Sequence, residues 1–91
     1  MTELQRRWAA FHQRPFPGLT GAEVPDRVDL VSLDSFAAGC VDSVAGGASL
    51  GPDHLAVLGR CREELEAVLP HLGGEARAYF AELAWLVREA L

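Results

Sequence analysis

Five side chains in this sequence could ligate a soft metal ion or serve acid–base and nucleophilic chemistry: His12, Cys40, His54, Cys61 and His71. Zinc sites draw on thiolates and imidazoles at recognisable intervals, and hydrolytic catalysis holds a nucleophile, a base and an orienting group together. No CxxC, HxxxH or ExxH spacing occurs. His54 and Cys61 are seven apart on one helical face, but further ligands would have to come from the distant Cys40 or His12. Ser35 and Ser43 add hydroxyls, without a nucleophile elbow or a glycine-rich phosphate loop. Two cysteines are too few for a disulfide framework, and both fall on apolar helical faces, where a thiol acts as a small hydrophobe with a raised pKa. The expectation is reduced, buried thiols, no metal, no cofactor and no catalysis.

Ser35 raises a separate chemistry. The run Asp34-Ser35-Phe36 resembles the Asp-Ser-Leu motif that opens the second helix of acyl and peptidyl carrier proteins. Those proteins are likewise small, acidic and four-helical, with a long first loop. The resemblance implies a phosphopantetheine arm on Ser35, which stands about 200° round the helix from Leu33, on the outer face. The chain departs from the pattern in several places. Phe36 replaces Leu, no Gly precedes Asp34, Gly46-Gly47 ends the helix early, and the acidic residues gather on the third helix instead. An Asp-Ser pair is also what helix-start propensity alone produces.

The elements that must position these groups read as four helices. Thr2 can cap a first helix running to about His12, with a narrow apolar stripe of Leu4, Trp8 and Phe11 and a Glu3/Arg7 pair at i, i+4. Pro15, Pro17, Gly18, Gly21 and Pro25 then forbid regular structure, so residues 13–31 form a long ordered loop pinned by Phe16, Leu19, Val24 and Val28. A second helix, capped by Ser32, turns Leu33, Phe36, Ala37, Cys40, Val41 and Val44 to one side, and Gly46-Gly47 closes it. Val28 to Leu33 has an alternative as a short strand, although no other segment offers it a partner. A third helix starts at Gly51-Pro52 with a Leu50/Leu55 staple. Its inner face is Leu55, Leu58, Cys61, Leu65, Val68, Leu69 and Leu72, and Pro70 ends or kinks it. The fourth runs from Glu75 to near Leu91, with Ala76, Tyr79, Phe80, Leu83, Ala84, Leu86, Val87, Ala90 and Leu91 inside. The fold class is all-α: a small four-helix bundle of one domain, residues 1–91, with a long ordered loop between helices 1 and 2.

Composition narrows the function classes. With 8 Arg, no Lys and 13 acidic residues, the net charge of −5 argues against nucleic acid as a partner. The absence of Lys, Ile and Asn, whose codons are AT-rich, points to a high-GC bacterial genome. No apolar run nears the roughly 20 residues of a membrane span, and no secretory signal is visible, so the expected location is cytoplasmic. One surface looks unfinished: Trp85 projects from the outer side of the fourth helix beside Ala78 and Ala81. A tryptophan among small residues suits a partner better than water. The expected role is therefore a non-catalytic protein-interaction module, pairing as a homodimer or with one dedicated protein partner. A carrier protein is the alternative, and a small-ligand site between helices the third.

Overall fold

The computed structural model describes residues 1–18 and 29–91. Four helices, α1 (Glu3–Phe11), α2 (Leu30–Ala45), α3 (Pro52–Val68) and α4 (Gly74–Ala90), form the expected all-α bundle, with a short 3-10 turn at Leu69–His71 where Pro70 breaks α3. The expected loop pins Leu19, Val24 and Val28 lie outside the described residues, and so does most of the 13–31 loop.

The helix ends obey local chemistry. Thr2 and Gln5 close a reciprocal capping box on α1. The end of α2 is a Schellman arrangement, in which the Gly47 N–H donates to Val44 and the Ala48 N–H to Ser43, each at 3.0 Å. It needs Gly47 at φ +97°, a conformation that side chains with a Cβ adopt at a cost. The start of α2 differs from expectation. Helix begins at Leu30, not after Ser32, because Asp29 is the cap: its carboxylate accepts from the N–H groups of Val31 (3.1 Å) and Ser32 (3.2 Å) and from the Ser32 hydroxyl (2.9 Å). The earlier start also brings Leu30 onto the buried stripe with Leu33 and Ala37, and from Leu30 on the alternative strand is replaced by helix.

Connections and contacts give an up-and-down order. Gln5 of α1 reaches the carbonyl of Ala45, Arg7 reaches Glu82 and Phe11 packs on Tyr79, so α1 runs antiparallel to α2 and α4. The helices α2 and α4 each touch all three others, whereas α1 and α3 do not touch. Leu58, Leu65, Phe80, Leu83 and Leu86 are wholly enclosed. Each such side chain contributes about 1.5–3 kcal/mol through burial. Two expected inner residues stand at one end of the bundle instead: Leu55 is 39% and Leu91 43% exposed. Leu55 is in the first turn of α3, level with the last turn of α4, where no further helix among the described residues covers either residue.

The Asp29 cap has a pH signature. Bonding from Ser32 and Val31 to the charged carboxylate holds its pKa below the ordinary value. The stabilisation is therefore complete above the unfolded carboxyl's titration near pH ~3.9 and is lost as the pH falls through the lower folded value. Asp29→Ala should lower the urea midpoint at neutral pH, and the gap to the parent protein should close in strong acid. An unchanged gap at both pH values would show that the cap does not act through its charge.

Candidate functional site

Trp85 does not stand bare on the outer side of α4, as the sequence suggests. It is half-buried and packs against the edge of the core, and the Arg7 guanidinium of α1 lies 3.6 Å from the centre of its ring. Arg7 is held there by Glu82, one turn before Trp85, through two hydrogen bonds, Nε to Oε2 at 2.9 Å and one from the second guanidinium nitrogen. Glu82 raises the Arg7 pKa further and fixes its charge, while Glu3 approaches from the same helix at 4.0 Å. Ala78 and Ala81, seven and four residues before Trp85 on the same side of the helix, are exposed. This face thus carries a half-buried aromatic ring, exposed small residues and an arginine–carboxylate clamp. Sequence reasoning places Trp85, Ala78 and Ala81 on one face but misses Arg7 and Glu82. The only signal for them was the spacing of Glu82 three residues before Trp85.

The residues with potential chemistry divide between separate surfaces. Ser35, Cys40, Ser43, Ser49 and His54 line an open groove of about 420 Å³ between α2 and the start of α3. A bundle this small has little room for a pocket of about 300 Å³ or more, the usual size of a small-molecule site, yet this groove reaches it. Gly39, Ala48 and Gly51, all small, leave the space. Gly47-Ala48-Ser49-Leu50-Gly51 has the G-x-S-x-G spacing of a nucleophile elbow, a signal that sequence reasoning passed over. Here it joins two helices rather than a strand to a helix, so the strained elbow that activates the serine is absent. The His54 ring stacks on Phe36 at 6.2 Å and 6°, which also leaves Phe36 half-buried at the groove's edge rather than in the core. Ser43 donates back to the Gly39 carbonyl at 3.1 Å.

Ser35 is exposed, but the early start of α2 makes it the sixth helical residue, counting from Leu30, and not a residue of the helix opening. Its neighbour Asp34 accepts a 2.6 Å hydrogen bond from the Tyr79 hydroxyl, whose pKa is pushed up by burial and by that carboxylate. Cys61 lines a different groove, with Asp29, Arg60 and Glu64. His12 lies against Trp8, and His71 is exposed in the 3-10 turn. Among the described residues no three metal-ligating side chains converge, and no helix is long and apolar enough to cross a membrane. In comparisons with family models, curated proteins and solved structures, none matches this chain.

Cys40 and Cys61 are buried and unbridged. Burial raises both thiols, and Glu64 adds to the effect at Cys61. The thiolate is the reactive form, so a disulfide reagent should label the folded protein at least roughly tenfold more slowly than the urea-unfolded chain. Equal rates would place the thiols in solvent.

Proposed function

We propose that this chain is a non-catalytic protein-interaction module, acting in the cytoplasm, that pairs with a second copy of itself or with one dedicated protein partner across the outer face of α4. The observation that carries the reading is the partly uncovered indole of Trp85 beside exposed Ala78 and Ala81. Alanines let a second helix come close, and a tryptophan held rigid by an arginine stack loses little freedom when its open edge is covered. Interface anchors elsewhere are built in this way, with an aromatic centre and a polar rim that here would be Arg7 and Glu82.

Light scattering after size exclusion, across a range of concentrations, should show a dimer or a monomer that associates once its partner is added. Trp85→Glu should weaken the association by roughly tenfold or more, the cost of removing an anchor, while helicity and cooperative unfolding persist. If that substitution unfolds the isolated chain, or leaves association intact, the face is not the interface.

A carrier-like role is the second reading, favoured by one observation: Ser35 is solvent-exposed on the lip of the α2–α3 groove. Incubation with a broad-specificity phosphopantetheinyl transferase and coenzyme A decides between the two. The expected outcome is an unchanged intact mass. A quantitative gain abolished by Ser35→Ala would replace the interaction reading with this one.

A further inference from the structure

The helix α1 is attached differently from the rest of the bundle. It has nine residues and one fully buried side chain, Phe11, whereas α2, α3 and α4 bury five, four and seven. A helix of this length is marginal by itself in water, where about 12–15 residues are needed, so its helicity depends on its seat. Leu4 and Trp8 pack half-buried on the core beside Phe11, and three polar contacts at the rim complete the attachment. Arg7 clamps Glu82, the Trp8 indole N–H donates to Asp42 at 3.0 Å, and the Gln5 amide donates to the Ala45 carbonyl at 3.0 Å. Phe16, the one expected loop pin among the described residues, packs edge-on against Tyr79 and Phe80, so residues 12–16 share the seat of α1. Then 13 residues, 17 to 29, join that N-terminal segment to α2.

Charge is divided in the same place. Residues 1–14 hold Arg6, Arg7 and Arg14 against Glu3, a net +2, which leaves −7 of the total −5 on residues 15–91. A basic strap thus lies on an acidic body. Its seat is an apolar floor that includes Tyr79 and the edge of Trp85, flanked by the carboxylates of Asp42 and Glu82. What this seat selects is legible from what fills it: apolar side chains at i, i+4 and i+7, with a guanidinium on the flank facing Glu82.

We propose that the seat of α1 on α2 and α4 is a docking surface for a basic amphipathic helix of a partner protein, and that α1 is the internal segment occupying it until the partner displaces it. This names a partner class for the interaction reading and rests on it. Departure of α1 would also take Arg7 off the ring of Trp85, so docking and the outer face of α4 share one residue. Because α1 competes in cis, the apparent affinity of any external helix is reduced by the fraction of chains whose seat is open.

Two measurements on the intact chain test this. In hydrogen exchange read by mass spectrometry, the amides of α1 should lose protection at least roughly a hundredfold faster than those of α4, and faster still when salt rises from about 0.05 to about 0.5 M, which screens the rim pairs. A fluorescent peptide of residues 1–14 should then bind the unmodified chain weakly in trans. It should bind the Arg7→Glu chain roughly tenfold tighter, because that substitution loosens α1 in cis while the peptide keeps its own arginine. Glu82→Arg in the chain should abolish binding, and a scrambled peptide of equal composition should not bind. Protection of α1 equal to that of α4, or equal peptide affinity for the two chains, would overturn the proposal. Should Arg7→Glu fail to fold, the exchange data on the unmodified protein decide alone. A dimer that the peptide dissolves would make the occupant the α1 of a second copy and overturn the assignment to a different protein. Association through Trp85 is measured without the peptide, so failure of the α1 seat and failure of the interaction reading are told apart.

Discussion

The constraint on which this bundle depends is the direct packing of α2 against α4, which its other two helices flank. Small residues are among the buried side chains of both helices, Ala37 on α2 and Ala76 and Ala84 on α4. Large side chains beside them, above all the fully enclosed Phe80, fill the space on either flank. Loss of a ring so enclosed costs about 3–5 kcal/mol, a large part of the roughly 5–15 kcal/mol that stabilises a domain. With α2 and α4 in contact, α1 and α3 are forced apart, and the molecule flattens to 37 × 27 × 16 Å. The flattening leaves α1 and α3 each resting on two helices rather than three. The longer α3 compensates with four buried residues, and α1 cannot.

Polar groups follow from the same geometry. No charged side chain among the described residues is fully buried, and each buried polar side-chain atom has a hydrogen-bond partner. The amphipathic residues place an apolar body inward and a polar tip at the rim. Tyr79 donates to Asp34, Trp8 donates to Asp42, and Arg7 spans from the Trp85 ring to Glu82. Each of these contacts joins a different pair of helices: α4 with α2, α1 with α2, and α1 with α4. They fix register without burying an ion, whose desolvation would offset much of the attraction.

What was legible in the sequence was whatever is decided within one helix. The Thr2 cap, the Gly46-Gly47 stop, the Gly51-Pro52 start and the Pro70 break are local chemistry, and the buried arcs of α2 and α4 follow from period alone. The Asp29 cap was missed because Ser32, itself a good cap residue, stands just before the next apolar stripe; only the burial of Leu30 shows that the stripe begins earlier. Leu55 and Leu91 have inward angular positions, yet a helical wheel carries no information about where the neighbouring helix ends. The same limit explains Trp85. The wheel sets it outside the inner arc of α4, but it is half-buried against the core edge, and the guanidinium stacked on it belongs to α1, more than seventy residues away in sequence. Likewise the α2–α3 groove depends on small residues contributed by two helices and the turn between them.

Arg7 is where these separate considerations meet. Its guanidinium stacks on the ring of Trp85, its charge is paired with Glu82, and its backbone belongs to the helix with the fewest buried residues. A residue shared between α1 and the ring of Trp85 couples the placement of the helix to the exposure of the indole. Any ligand that favours one arrangement of α1 shifts the exposure of Trp85, by no more than its difference in affinity for the two arrangements. The reverse holds with the same coupling energy, so a partner that engages Trp85 together with Arg7 would hold α1 in place, and one that needs the whole indole would favour its release. The proposed outer-face interface and the proposed α1 seat are therefore not independent surfaces. Burial of Phe11 against Tyr79, on the α1–α4 contact that Arg7 clamps, sets how strongly the closed arrangement is preferred.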